Sequence, residues 1–120
     1  MGYKLCYKVI PLPNNTNFNG DIFGGWLLSQ MDLAGVIMCN EVCYGRYVTI
    51  TVDKMVFRKP VQVGDIVEIF CKVNTIGTTS ISINIQVYAT EMDGGNKKLV
   101  TEGLFKYVKI GKNRTPININ

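Results

Sequence analysis

A single carboxylate stands in the middle of an otherwise apolar stretch that has helical periodicity. Residues 24–40 read GGWLLSQMDLAGVIMCN, and Asp32 comes halfway along them, with no Lys or Arg within a helical turn. Burying an unpaired carboxylate costs several kcal/mol or leads the group to take up a proton. Proteins often carry such a group because it serves as a base or a nucleophile, so Asp32 is a candidate catalytic residue. The alternative is an aspartate that is solvated or paired with a cation of the sheet.

Two glycines open the same stretch. The first backbone N–H groups of a helix are unpaired and carry positive partial charge. With Gly24 and Gly25 at the helix start, a ligand carbonyl could come close enough to these donors to use them as an oxyanion hole. The alternative is that the two glycines only form a tight turn.

The spacing between these two candidates has a consequence. Gly25 and Asp32 are seven residues apart on one helix face, which is about 10 Å along the axis. One reacting carbonyl needs a donor and a base that each lie within roughly 3 to 4 Å. The two groups can therefore share a substrate only if antiparallel helices of two subunits lie side by side. Small residues on this face, among them Ser29 and Gly35, predict space for something to approach closely.

The composition excludes several kinds of catalysis. The chain has no histidine and nine carboxylates, which excludes Ser-His-Asp and Cys-His catalysis and histidine-ligated metals. No Cys-x-x-Cys pair is present, so we expect buried free thiols and neither a metal nor a cofactor. No export signal or bilayer-spanning run is evident, which predicts a cytoplasmic protein without membrane contact. The mild net charge of +4 forms no basic stripe on a helix, and we therefore expect no nucleic-acid partner.

The order of elements predicts how the helix is held. We expect a strand at residues 4–10, a helix at residues 24–42 that Gly45 stops, and strands at residues 47–57, 65–76, 81–92 and 99–110. Apolar residues alternate with polar ones at Val48, Ile50 and Val52, which predicts a half-buried strand, and Ile81, Ile83, Ile85 and Val87 lie on one face of another strand. Short links predict an antiparallel meander. A helix that is apolar nearly all round needs cover on most sides. The expected fold is therefore α+β, a hotdog fold in which a curled antiparallel sheet of about five strands wraps a central helix and a second subunit covers the rest. We assign residues 1–110 to one domain and residues 111–120 to a polar tail.

The run NGDIFGGWLLSQMD at residues 19–32 resembles the signature of the YciA-type acyl-CoA thioesterases, which belong to the hotdog superfamily. The resemblance continues through GRYVTITVDKMVFRKPVQVGD and GTTSISINIQV to LFKYV and covers roughly residues 5–110. It implies hydrolysis of an acyl-CoA to a free acid and CoA. It also implies a hexamer built as a trimer of dimers, which agrees with the spacing of Gly25 and Asp32.

The resemblance also implies roles for individual residues. Asp32 matches the catalytic aspartate, as general base or nucleophile, and the helix start at Gly24 and Gly25 matches the region that polarises the thioester carbonyl. Asn19 and Asp21 match the motif ahead of the helix, where they would position water or shape the pocket. For the phosphates of CoA, the chemistry of the side chains and turns suggests these candidates: Arg58, Lys59, Gly77, Thr78, Thr79 and Ser80. Solvated turn residues are the alternative reading of this last group.

A second function remains open at this point. A non-catalytic hotdog module that binds acyl-CoA would share the fold, although it has no need of a carboxylate near helix-start donors. Hotdog dehydratases normally use a histidine, and the chain has none. The acyl-chain length that the pocket takes does not follow from the sequence.

Overall fold

One long helix lies against a single antiparallel sheet of five strands. The computed structural model describes residues 2–120. Its elements are β1 (Lys4–Val9), a 3-10 turn (Pro13–Asn15), α1 (Gly24–Val42), β2 (Arg46–Phe57), β3 (Ile66–Ile76), β4 (Ser80–Thr90) and β5 (Lys98–Ile110). The helix bounds agree with those predicted from the apolar periodicity, and the α+β class is confirmed.

The strand order is β1-β3-β4-β5-β2, so the predicted simple meander is wrong for β2. Strands β3, β4 and β5 follow one another as hairpins, but β2 pairs with β5 and lies at the sheet edge. The segment after β2 does not turn back as a hairpin, and its backbone groups bond to other parts of the chain. Arg58 N–H donates to Val100 O at 2.7 Å, and Val61 O accepts from Ile22 N–H at 2.9 Å.

The concave face of the sheet packs on the helix. Ile81, Ile83, Ile85 and Val87 of β4 are fully buried, which confirms the alternation predicted for this strand. The helix contributes its own buried residues to the same core, which are Leu27, Met31, Ala34, Gly35 and Cys39.

The alternation predicted for β2 is wrong in the single chain. Ile50 is 52% exposed and Val52 is 36% exposed. Two β-bulges interrupt the pairing of β2 with β5, and Lys54 at one of them has a φ of 53°. A bulge shifts the side chains that follow it to the other face, so a period of two does not persist along this strand.

The helix also has an exposed apolar side chain. Leu33 is 52% exposed, and this leaves the open apolar surface that the sequence predicts.

Two segments, the end of the helix and the C-terminal tail, make contacts that the sequence did not predict. Gly45 does not stop the helix, because the chain is already extended at Cys43, and the N–H of Gly45 donates to Asn40 Oδ1 at 2.8 Å. The tail at residues 111–120 packs back onto the sheet. Ile119 is buried, and its N–H donates to Thr78 O at 2.9 Å.

Candidate active site

Asp32 lies in the middle of α1, half-buried, and faces β2 and β5. Its Oδ1 accepts a hydrogen bond from Thr49 Oγ1 at 2.7 Å and another from Tyr107 Oη at 3.0 Å. No Lys or Arg of residues 2–120 forms an ion pair with Asp32, as expected, but two neutral hydroxyl groups bind one of its oxygens. Oδ2 accepts no hydrogen bond from residues 2–120 and is not buried. The carboxylate thus has one anchored oxygen and one that can react.

Tyr107 was not predicted as part of the site. The residue is fully buried, and its Oη also lies 3.1 Å from the main-chain oxygen of Asp32. Burial first, and then the charge of Asp32, raise the pKa of Tyr107, so the phenol stays protonated and can donate. A Cβ added at Gly35 would lie 1.9 Å from Tyr107 Oη. The small residue at this position therefore makes room for Tyr107 and not for a ligand, which corrects that part of the predicted small-residue stripe.

The other part of the stripe lies at the helix start. Phe23 precedes the helix with φ −74° and ψ 149° and supplies no side-chain cap. The N–H groups of Trp26 and Leu27 donate to Phe23 O, at 3.1 and 3.4 Å. Within the described part of the chain, the N–H groups of Gly24 and Gly25 have no acceptor. Two adjacent helix-start donors thus remain available for a carbonyl oxygen.

A groove of about 420 Å³ lies beside this helix start. It brings together four of the predicted site residues, namely Gly24, Asp21, Arg58 and Lys59. Arg58 Nε donates to Glu102 Oε2 at 2.7 Å, so its charge is partly neutralised. Lys59 forms no ion pair with residues 2–120. The ring of Phe57 closes the groove next to Gly24, where an added Cβ would lie 3.1 Å from Cζ.

The loop ahead of the helix is organised by Asn17, which the sequence interpretation missed. Asn17 Oδ1 accepts from Asn19 N–H at 2.9 Å and from Asp21 N–H at 3.1 Å. The Asn-x-Asn-Gly spacing at residues 17–20 is the signal for such an Asx turn. Asp21 Oδ1 in turn accepts from Gln62 Nε2 at 2.6 Å. Asn19 is exposed and does not line the groove, so its proposed role stays a prediction.

The second predicted CoA-binding group, the turn at residues 77–80, lies at the opposite end of β5. Arg58 N–H bonds to Val100 O, and Thr79 O accepts from Lys109 N–H. Val100 and Lys109 are nine residues apart on β5, which is roughly 30 Å of extended strand. The carbonyls of Thr78 and Thr79 are bonded to the tail and to β5. One subunit therefore does not bring this turn to the groove of Arg58 and Lys59.

Comparison with known proteins assigns the family. The model of the thioesterase superfamily matches residues 19–95. The chain belongs to the thioesterase superfamily. It is 44% identical over 115 residues to the acyl-CoA thioester hydrolase YciA of Escherichia coli, an alignment that covers 93% of this chain and 87% of that protein.

Two solved structures of thioesterases have the same fold. The hexameric thioesterase y2039 from Yersinia pestis superposes with a TM-score of 0.94 at 40% identity, covering 100% of this chain and 98% of that one. Cj0915 of Campylobacter jejuni, a hexameric hotdog fold thioesterase, superposes with a TM-score of 0.90 at 40% identity, covering 97% and 90%. The predicted hotdog fold is confirmed.

Residues 2–120 contain neither a cluster of metal-binding side chains nor a membrane-spanning helix. Among residues 2–120, no three His, Cys, Asp or Glu side chains cluster closely enough to hold a metal ion. No helix in that range is both long and apolar enough to cross a membrane. All four cysteines are free thiols.

Proposed function

We propose that this thioesterase-superfamily protein hydrolyses acyl-CoA thioesters, with Asp32 as the general base for water or as the nucleophile. The observation that carries the proposal is the Asp32 carboxylate, which Thr49 and Tyr107 bind through Oδ1, while Oδ2 has no hydrogen-bond partner among residues 2–120. As a base, Oδ2 takes a proton from a water whose oxygen attacks the thioester carbonyl. As a nucleophile, Oδ2 attacks the carbonyl itself. In both routes the C–S bond then breaks, and CoA leaves as a thiolate that takes up a proton from Asp32 or from solvent. In the nucleophilic route the acyl group remains on Oδ2 as a mixed anhydride, which water hydrolyses to the free acid and the regenerated carboxylate.

The developing oxyanion would be bound by the amides of Gly24 or Gly25. Helix α1 runs without interruption from Gly24 to Val42, so these amides lie about 10 Å along the axis from Asp32 of the same chain. They cannot serve the carbonyl that this Asp32 attacks. The helix start of one subunit and Asp32 of the other would form each site in a two-fold dimer.

The predicted CoA-binding residues also form two groups that lie apart in one subunit. Arg58 and Lys59 lie in the groove beside the helix start, whereas the turn at residues 77–80 lies toward the end of β5 that carries Tyr107. A two-fold axis that brings Gly24 of one subunit to Asp32 of the other would also bring these two groups toward one another. One CoA could then contact Arg58 or Lys59 of one subunit and the turn of its partner. CoA and the acyl chain would be the only small molecules needed, with no separate cofactor.

The exposed apolar surface supports a dimer. Strand β2 lies at the edge of the sheet, where its backbone groups and the exposed Ile50 can pair with a second subunit. The exposed Leu33 and Ile37 of the helix extend this surface. The two similar structures described above are hexameric thioesterases. We infer a hexamer of three dimers for this chain. The four free thiols support a reducing compartment, the cytoplasm.

The test is release of free thiol from acyl-CoA, measured for the wild type, Asp32→Asn and Glu41→Gln. Glu41 is a matched control, because it is a carboxylate of the same helix that pairs with Lys4. We expect Asp32→Asn to lose activity at least about a thousandfold while the fold and oligomer stay unchanged, and Glu41→Gln to remain active. Wild-type turnover in Asp32→Asn would refute the mechanism. A wild type that binds acyl-CoAs of short, long and aromatic chains without cleaving them would establish the binding module instead.

A further inference from the structure

We propose that Tyr107 is a positioning residue for this hydrolysis, one that fixes which oxygen of Asp32 reacts. The inference rests on the proposed function, since it concerns the same carboxylate. Tyr107 binds Asp32 Oδ1, and this leaves Oδ2 as the oxygen that takes the proton from water or attacks the thioester. Nothing in the sequence links the two residues, which are 75 positions apart.

The contacts determine the orientation of the carboxylate. Tyr107 Oη lies 3.0 Å from Asp32 Oδ1 and 3.1 Å from the main-chain oxygen of the same residue. Thr49 Oγ1 donates to the same Oδ1 from β2 at 2.7 Å. Two donors on different strands thus converge on one oxygen, and rotation of the carboxylate about Cβ–Cγ would break both hydrogen bonds. The carboxylate is therefore held in one orientation before substrate binds.

The hydroxyl of Tyr107 stays protonated, so it can donate a hydrogen bond to Asp32. Tyr107 is fully buried, and burial first and then the charge of Asp32 raise the pKa of its phenol, so the O–H is retained near neutral pH. Cys39 and Cys71 are the other titratable groups that act on this hydroxyl. Burial raises the pKa of both thiols, that of Cys39 to about 12. They remain uncharged near neutral pH and do not compete with Asp32 for the proton.

The helix is built to admit this hydroxyl. Gly35 sits one turn after Asp32, and an added Cβ there would lie 1.9 Å from Tyr107 Oη and 2.5 Å from Cζ. Glycine in a helix interior costs roughly 1 kcal/mol relative to alanine. Gly35 therefore lowers the stability of the helix at the position where the Tyr107 side chain contacts it. Tyr47 offers a contrast within the same fold, because its Oη donates to Cys43 O at 2.6 Å, at the end of the helix and away from Asp32.

Removing the hydroxyl should affect chemistry more than binding. In Tyr107→Phe the ring still fills the same space, while Asp32 loses a hydrogen bond made to its charged form. We expect kcat to fall about 10- to 100-fold and KM to change less than about threefold.

The experiment compares wild type, Tyr107→Phe, Tyr47→Phe and Asp32→Asn by steady-state acyl-CoA hydrolysis, with thermal unfolding as a check on folding. Tyr47→Phe is the matched control, since it also removes a hydroxyl that anchors the helix, and it should keep the wild-type kcat and KM. A Tyr107→Phe protein with wild-type kcat and KM, beside an inactive Asp32→Asn, would overturn the positioning role while the proposed function stands. An equal loss in both Tyr→Phe variants would also overturn it, because the effect would then be general destabilisation.

A second measurement does not depend on activity. Crystal structures of the wild type and Tyr107→Phe should show the Asp32 carboxylate in one orientation in the former and rotated, or in two orientations, in the latter. An unchanged single orientation in the variant would contradict the inference. If the wild type hydrolyses no acyl-CoA and the carboxylate still rotates in the variant, the proposed function fails and the positioning contact is supported.

Discussion

Replacing Gly35 with alanine is a sensitive test of the contact between Tyr107 and the helix. The new Cβ would lie 1.9 Å from Tyr107 Oη, 2.5 Å from Cζ and 2.8 Å from Cε2. Rotation of the ring about its long axis leaves Oη and Cζ in place, and the side chain is fully buried, so turning the ring does not relieve these overlaps. Tyr107 or the helix must therefore move.

The magnitude follows from two opposing effects. Alanine in place of a mid-helix glycine stabilises a helix by up to about 1 kcal/mol. Overpacking a closely packed core typically costs about 1 to 3 kcal/mol, and loss of the Tyr107 hydrogen bonds adds roughly 1 kcal/mol or more. We expect the free energy of unfolding to fall by about 1 to 3 kcal/mol. Because the displaced hydroxyl no longer anchors Asp32, kcat should fall about as far as in Tyr107→Phe.

Urea unfolding and thiol release measure the two effects on the same samples. Ser29→Ala, a small substitution on the exposed side of the same helix, is the control and should change stability by less than about 0.5 kcal/mol. In the Tyr107→Phe background the cost of Gly35→Ala should shrink, because the closest contact disappears, but not vanish, because Cζ stays 2.5 Å from the new Cβ. A Gly35→Ala protein that is about 1 kcal/mol more stable than wild type, with unchanged kcat, would refute the reasoning.

Three further predictions concern residues around this site and the core. Thr49→Val removes the 2.7 Å hydrogen bond to Asp32 Oδ1 and should lower kcat about tenfold with KM unchanged in steady-state kinetics; a wild-type kcat would contradict it. Burial raises the pKa of the Cys39 thiol from 9.0 to about 12. The unfolded chain thus loses this proton first, and the stability that is complete below pH 9 should decline up to pH 12, by at most about 1.4 kcal/mol per pH unit. Urea unfolding at several pH values should show a smaller decline in Cys39→Ala, and an identical decline would count against the assignment. Ile119→Ala should cost about 2 kcal/mol in urea unfolding, because Ile119 is only 5% exposed; a neutral result would show that the tail does not pack in solution.

Local periodicity predicted part of the fold well. The bounds of α1 and the buried alternation of β4 depend on near-neighbour patterns, and both agree with the structure. The exposure of β2 and its pairing with β5 could not be predicted in this way. Both depend on bulges and on partners about 44 to 64 residues away, for which a period of two carries no signal.

The candidate site could also be predicted only where it depends on neighbouring residues in the sequence. Asp32 and the free amides of Gly24 and Gly25 follow from helix chemistry that the sequence displays. The anchoring of Asp32 by Tyr107 depends on a contact across 75 residues, and Gly35 was its one local sign. The glycine was interpreted as space for a ligand because a small residue does not reveal which group will fill the space beside it.

The claim that most needs a direct test is that each site combines the helix start of one subunit with Asp32 of another. Gly24→Pro and Gly25→Pro each remove one amide donor in the first turn, where a helix tolerates proline. For Gly24→Pro, the preceding residue Phe23 already has the extended conformation that proline favours. The inactive proline variant and Asp32→Asn, mixed and allowed to exchange subunits, would form dimers with one intact shared site. The account predicts recovery of roughly a quarter of wild-type activity, because random exchange makes about half of the dimers mixed and each has one intact site of two. Two inactive parents whose exchanged mixture stays inactive would contradict the shared site.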